Sequence, residues 1–197
     1  MPDGTDGTFA SNSILDNFHA SGASPQTAKQ DGLAAGGPGA SQAMAKTDQG
    51  RIKPLKARFN AVAAQTGLPP ALLAAVASRE SRCGNVLAPD GTGDGGNAFG
   101  IMQVDKRFHA IKGTPDPKSQ EHIQQASEIL KGFLNTIVTK FPTQPPERQL
   151  QAAVAAYNCG PGAVASPDAA DAKTTGHDYS NDVWERARFY AVGWDTL

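Results

Sequence analysis

Glu80 is the residue whose setting most directly suggests chemistry. Leu73, Val76, Ala77 and Glu80 fall at i, i+3, i+4 and i+7, one face of a helix that is otherwise apolar. A carboxyl drawn into apolar surroundings is costly to ionise, so its pKa rises. A carboxyl that keeps its proton near neutral pH can act as a general acid. The competing outcome is a glutamate that frays into water or pairs with Arg79 or Arg82, the commoner fate of a lone helix glutamate. Six glycines between positions 84 and 100 follow, and this stretch brings Asp90, Asp94 and then Asp105 within 25 residues of Glu80. Glycoside hydrolysis needs such an assembly: one carboxyl protonates the leaving oxygen, while a second assists water or stabilises an oxocarbenium ion. Each aspartate taken alone fits ordinary turn chemistry.

Other chemistries find no support. Gly91-Thr92-Gly93-Asp94-Gly95-Gly96 matches G-x-G-x-x-G as a string, but no strong strand precedes it and no helix opens from it. Asp90-x-Thr92-x-Asp94-Gly95 opens like a calcium loop, yet its twelfth position is Ile101 instead of Glu. His19, His109, His122 and His177 are scattered, with no H-E-x-x-H, and G-x-S-x-G is absent, so no metal site or serine nucleophile is expected. Cys159 has no local base to activate it and reads as a packing residue or disulfide partner. Tyr157 ends an apolar stripe and reads as core unless the helix end opens on a cleft.

The elements that must position these groups are mostly helical. Ile52, Leu55, Phe59 and Val62 mark a helix over 51–66, stopped by Gly67. Pro69 and Pro70 start the next, over 70–82, which carries Glu80 and runs toward Gly84. A small twisted hairpin fits the glycine-rich 84–100. Ile123, Ala126, Leu130, Phe133, Leu134, Ile137, Val138 and Phe141 predict a long helix packed on several neighbours, ended by Pro142. Further helices are predicted over 146–157 and 180–192, the latter with Ser180 as N-cap. The first 50 residues are rich in Gly, Pro, Ser and Ala. The first twenty read as a flexible tail and the remainder as an ordered, irregular arm.

A chain of 197 residues, 39% hydrophobic, suits one domain able to bury a core. Lys plus Arg number 18 and Asp plus Glu 19, a net charge of -1, which argues against partners held by bulk charge, nucleic acid or an anionic membrane. A neutral sugar chain remains compatible. The longest apolar run falls well short of the roughly 20 residues of a membrane helix. Met1 to Asp6 shows neither the basic nor the apolar segment of a secretory signal.

Four blocks resemble goose-type (g-type) lysozyme. They are Ser78-Arg79-Glu80-Ser81, GDGGNAFGIMQVDKRFH from Gly93 to His109, AAYNCGPG from Ala155 to Gly162, and HDYSNDVWERARFY from His177 to Tyr190. The first three are also shared with soluble lytic transglycosylases. The similarity starts near Ser21 and runs to about Tyr190. It implies a mainly α, α+β lysozyme-like fold: a helical bundle around a central long helix with a small Gly-rich β element, as a catalytic domain over 21–197 behind a tail of 1–20.

The resemblance also implies an antibacterial peptidoglycan hydrolase, inverting, that cleaves the β-1,4 bond between N-acetylmuramic acid and N-acetylglucosamine. A lytic transglycosylase and a non-catalytic wall-binding homologue are the rivals. The family acid maps onto Glu80, and its two water-orienting aspartates onto Asp94 and Asp105. One extra residue between Glu80 and Asp105 makes Asp90 a competitor for the first role, with Asp94 favoured because the residues after it align without a gap. Substrate contacts are implied at Gln103, Phe133, Tyr157 and Asn158, with His109 and Tyr179 lining the cleft and the backbone of Ile101 and Met102 meeting the sugar. The implied ligand is peptidoglycan or a chitooligosaccharide, bound by a monomer without metal or cofactor. The family is mostly secreted, so the lack of a visible signal resembles the fish members and points to unconventional export or an intracellular role. The N-terminal cysteines of the avian members are missing. Instead Cys83 and Cys159 fall in two motifs that border one cleft in the family, and a disulfide between them is expected.

Overall fold

The structure is a computed structural model that describes residues 7–197. Among these are seven α-helices and a small sheet: α1 (Pro25–Ala28), α2 (Pro38–Ile52), α3 (Lys56–Thr66), α4 (Pro70–Ser81), α5 (Gln120–Lys140), α6 (Pro146–Cys159) and α7 (Tyr179–Val192). The fold is therefore mainly α with a minor β element, as expected. Proline opens α1, α2, α4 and α6, where its missing N–H costs nothing. Ser119 caps α5 by accepting the His122 N–H.

The most enclosed element is α4. Ala71 through Ser78 are all buried, because α7, α3 and α2 pack around it. The longest helix, α5, lies against α6 and α3 through Ile123, Ala126, Leu130, Leu134 and Ile137, with its opposite face in solvent. No single helix among the described residues is long and apolar enough to cross a membrane.

Three strands follow α4: β1 (Thr92–Gly93), β2 (Ala98–Phe99) and β3 (Val104–Asp105), antiparallel in that order. Gly93 pairs with Ala98, and Ala98 with Asp105. Asp94 sits one residue beyond Gly93, so this register brings Asp94 and Asp105 to the same end of the sheet. One glycine is fixed by close approach: a Cβ on Gly100, whose φ is 76°, would lie 2.3 Å from the His122 ring.

The N-terminal region departs from the sequence expectation. Residues 1–6 lie outside the described residues. Residues 7–20 do not form a loose tail: Phe9, Ile14, Leu15 and Ala20 join the main core. The Asn12 side chain accepts the Ala71 N–H at 3.1 Å, satisfying a first-turn donor of α4 where Pro69 offers no cap. The Trp184 indole donates to the Phe18 carbonyl at 3.0 Å. The expected irregular arm contains α2, whose buried side is small and polar (Ala40, Ser41, Ala45, Asp48) apart from Met44 and Ile52. Its Asp48, wholly buried, meets Arg82 at 2.8 Å and the Ser78 hydroxyl at 2.6 Å. Ser180 does not cap α7. It lies within the first turn, and the Asp171 carboxylate accepts the N–H groups of Ser180 and Asn181 at 2.8 and 2.9 Å. A charged acceptor at the positive end of the helix displaces the local hydroxyl.

Candidate active site

Helix α4 ends in a left-handed turn. Arg82 and Cys83 both have φ near 54°, and the Cys83 and Arg82 N–H groups donate back to the carbonyls of Ala77 and Ser78. A non-glycine residue in this conformation costs about 1–2 kcal/mol. Arg82 is held there by ion pairs to Asp48 at 2.8 Å and Asp31 at 2.5 Å. This stop leaves Glu80 in the last turn, facing a cleft.

The cleft encloses about 510 Å³. Glu80 and Arg79 come from α4, Tyr179 from α7, and Tyr157 and Asn158 from the end of α6. Asp94, Gln103, Asp105 and Arg107 come from the sheet region, and Gln30 from the turn after α1. Glu80 is half-buried, and its carboxyl accepts the Tyr179 hydroxyl. Burial pushes its pKa up from 4.5 to about 7, against the opposing pull of the Tyr179 hydrogen bond and the Arg79 charge. The two arginines that could have neutralised it are engaged elsewhere. Arg79 pairs with Asp182 at 2.7 Å and Asp178 at 3.0 Å, and Arg82 with Asp48 and Asp31. The outcome in which Glu80 sits in an ion pair is thus excluded.

The aspartates are different in kind. Asp94 lines the cleft and is exposed, whereas Asp90 accepts the N–H and hydroxyl of Thr92 in a turn outside it. Asp105 is gripped by Arg107 through contacts of 2.6 and 3.0 Å, and these hydrogen bonds hold its carboxyl below the ordinary carboxylate range. The same guanidinium lies 3.7 Å from Asp94, so one cation spans both acids.

A second cavity of about 500 Å³ continues the cleft, sharing Gln103, Asp105, Arg107, Tyr157 and Asn158 with the first. Its far end is formed by Phe108, His109, Ile129 and Phe133. The combined groove carries flat apolar surface beside amide, phenol and carboxylate groups, a lining suited to sugars. His109, Phe133, Gln103, Tyr157, Asn158 and Tyr179 all reach this groove. Ile101 and Met102 line neither part. They are fully buried behind it, and their carbonyls accept the hydroxyls of Ser81 and Tyr157 at 2.8 Å. They support the wall from behind.

The expected disulfide is not formed: Cys83 and Cys159 are both free. Cys83 turns into the core after the α4 stop, where burial raises its thiol pKa, while Cys159 stays at the groove and donates back to the Ala155 carbonyl of its own helix. Arg107 and Gln30 are not singled out by any reading of the sequence motifs. An Asp-x-Arg step at 105–107 was the available signal for the first, and nothing local marks the second. Among the described residues no group of three or more His, Cys, Asp or Glu is arranged to hold a metal ion.

Comparison with known proteins accords with this geometry. The family described as Lysozyme g matches residues 13–193. A lysozyme g of Epinephelus coioides is 47% identical over 184 residues, spanning 88% of this chain and 93% of the relative. One of Gallus gallus is 40% identical over 187 residues, spanning 95% and 86%. A longer protein of Lottia gigantea, described as glycine, glutamate and proline-rich, is 40% identical over 181 residues, 88% of this chain and 43% of that protein. Matched over nearly its whole length, the chain belongs to the lysozyme g family and is a glycoside hydrolase of lysozyme type.

Proposed function

We propose that this lysozyme hydrolyses the β-1,4 bond between N-acetylmuramic acid and N-acetylglucosamine in peptidoglycan, with inversion at the anomeric carbon. Glu80 is the general acid. It gives its proton to the glycosidic oxygen as the bond breaks, and the sugar develops oxocarbenium character. Asp94 and Asp105 orient the attacking water on the other face of the ring, and Arg107 fixes the two carboxylates relative to each other. The glycan lies along the groove against Tyr157, Phe133 and His109, with Gln103 and Asn158 offering amides to its polar groups. One observation carries this reading: a half-buried glutamate without an ion-pair partner, its pKa raised to about 7, in a groove that also holds two aspartates.

The experiment is wall lysis by Glu80→Gln, Asp94→Asn, Asp105→Asn and the double aspartate variant. Glu80→Gln should lose nearly all turnover, and each single Asp variant should lose less than the pair together. Wild-type turnover in Glu80→Gln removes the acid from the mechanism, and full activity in the double variant removes the aspartates. NMR of the first-formed anomer on a chitooligosaccharide reads the stereochemistry, where retention refutes inversion. Products ending in 1,6-anhydro sugars, read by mass spectrometry, would assign the chain to transglycosylation.

A further inference from the structure

Arg79 precedes Glu80 in the sequence, and its side chain is only 7% exposed. A guanidinium buried this far seeks an anion. The next residue is an acid that must stay neutral to donate a proton. The structure solves this conflict with two further carboxylates. Nη1 of Arg79 donates to Asp182 at 2.7 Å, and Nη2 to Asp178 at 3.0 Å and to the Thr175 carbonyl at 3.4 Å. Both acids are anchored. Asp178 also accepts the Ser24 N–H at 2.6 Å, and Asp182 accepts Arg186 at 2.9 Å. The guanidinium carbon then rests 5.5 Å from the centre of the Tyr179 ring, whose hydroxyl donates to Glu80.

We propose that Asp178 and Asp182 are positioning residues: they hold the Arg79 guanidinium against the Tyr179 ring and away from an ion pair with Glu80, so that the acid keeps its proton. This rests on the reading of Glu80 as general acid. Released from its clamp, Arg79 has Glu80 as its neighbouring acid, and an opposite charge within hydrogen-bonding reach favours the ionised carboxylate. The remaining charged or titratable groups around Glu80 are Tyr179 of α7, Tyr157 of α6, and Asp94, Asp105 and Arg107 across the cleft, while Gln30 and Thr175 bring no charge.

The test is a direct titration of Glu80. Protein labelled with 13C at glutamate carboxyls is followed by NMR against pH, and the Glu80 signal is assigned by its loss in Glu80→Gln. Asp178→Asn should lower the Glu80 midpoint by about one pH unit, and Asp178→Glu should restore it. Arg79→Gln should raise the midpoint. In an Arg79→Gln background, Asp178→Asn should then move it by less than half as much as in the wild-type chain. The basic limb of the kcat profile should move with the midpoint in each variant, which a merely structural lesion would not do. An unchanged midpoint in Asp178→Asn overturns the proposal. So does an equal shift with and without Arg79, because Asp178 would then act only through its own charge. If Asp178→Asn does not fold, Arg79→Lys replaces it. One ammonium cannot fork to both acids, so the midpoint should again fall, and an unmoved midpoint overturns the proposal. Predicted midpoint shifts together with full lysis by Glu80→Gln would leave the clamp standing and refute only the acid assignment.

Discussion

Replacing Glu80 with glutamine should stabilise the fold in alkali while abolishing activity. The carboxyl has a pKa near 7 in the folded protein because it is buried, against an ordinary 4.5. The folded state therefore holds a proton that the unfolded chain releases between these values. Below about pH 4.5 the carboxyl is neutral in both states and imposes no penalty. Stability falls as pH rises through the window, and the penalty is complete above pH 7. The difference of about 2.5 pH units, at 1.36 kcal/mol each, comes to about 3 kcal/mol. Glutamine has nearly the same shape, can still accept the Tyr179 hydroxyl, and carries no charge to desolvate. For a chain of this size 1 kcal/mol moves Tm by about 2–4 °C. Calorimetry at pH 4 and pH 9 should give nearly equal Tm values for the two proteins in acid, and a variant higher by about 6–12 °C in alkali. A Tm difference that does not change with pH would refute the claim that Glu80 is desolvated.

Three further outcomes follow from the same structure. Arg107→Ala should move the acid limb of kcat to higher pH, because Asp105 loses the hydrogen bonds that keep its carboxyl below the ordinary range; a pH-rate profile with an unmoved acid limb would contradict this. Gly100→Ala should cost about 2–4 kcal/mol in urea unfolding, since the new methyl meets the His122 ring at 2.3 Å on a backbone with φ of 76°; a loss under 1 kcal/mol would show that the ring can move. A thiol reagent such as dithionitrobenzoate should modify Cys159 in the native protein and reach Cys83 only on unfolding, with Tm unchanged by reductant; rapid reaction of both thiols would refute the packing of Cys83.

What the sequence makes legible depends on where large apolar residues carry the pattern. Helices α5 and α6 follow stripes of large apolar residues and are foreseen closely, whereas the helix expected over 51–66 is broken at Pro54: residues 51–52 end α2, Lys53–Leu55 form a 3-10 turn and α3 starts at Lys56. Helix α2 escapes because its buried side is mostly Ala, Ser and Asp, and Gly39 and Gly50 dilute its helix propensity. The buried Asp48 of that face is matched by Arg82 and Arg186, partners 34 and 138 positions away that no local pattern reveals. The N-terminal segment escapes for a related reason: Phe9, Ile14 and Leu15 are too few to predict order until α4 and α7 supply a surface for them. Glu80 is legible because it interrupts an apolar face. Gln30 is not, because only the tertiary fold carries the turn after α1 to the cleft. The disulfide expectation fails because sharing a cleft border says nothing of which way each side chain turns. The α4 stop at Arg82 sends Cys83 inward.

The position of Glu80 in the last turn of α4 bears on why the site needs so many charges behind it. A helix C-terminus carries partial negative charge, which disfavours a carboxylate there and adds to the cost of burial. Both effects keep the proton on Glu80, and both weaken the helix end that bears it. The left-handed Arg82 adds strain at the same place. Compensation comes from cations complementary to that terminus. Arg79 and Arg82 occupy it, and each is bound by two acids other than Glu80. Those acids come from the turn after α1 (Asp31), from α2 (Asp48), from α7 (Asp182) and from just before α7 (Asp178). With Glu80 as the proposed acid, the N-terminal region supports the site electrostatically, through Asp31 and Asp48 on Arg82. It allows cations to stabilise the helix end without discharging the acid, a combination that no residue within α4 itself provides.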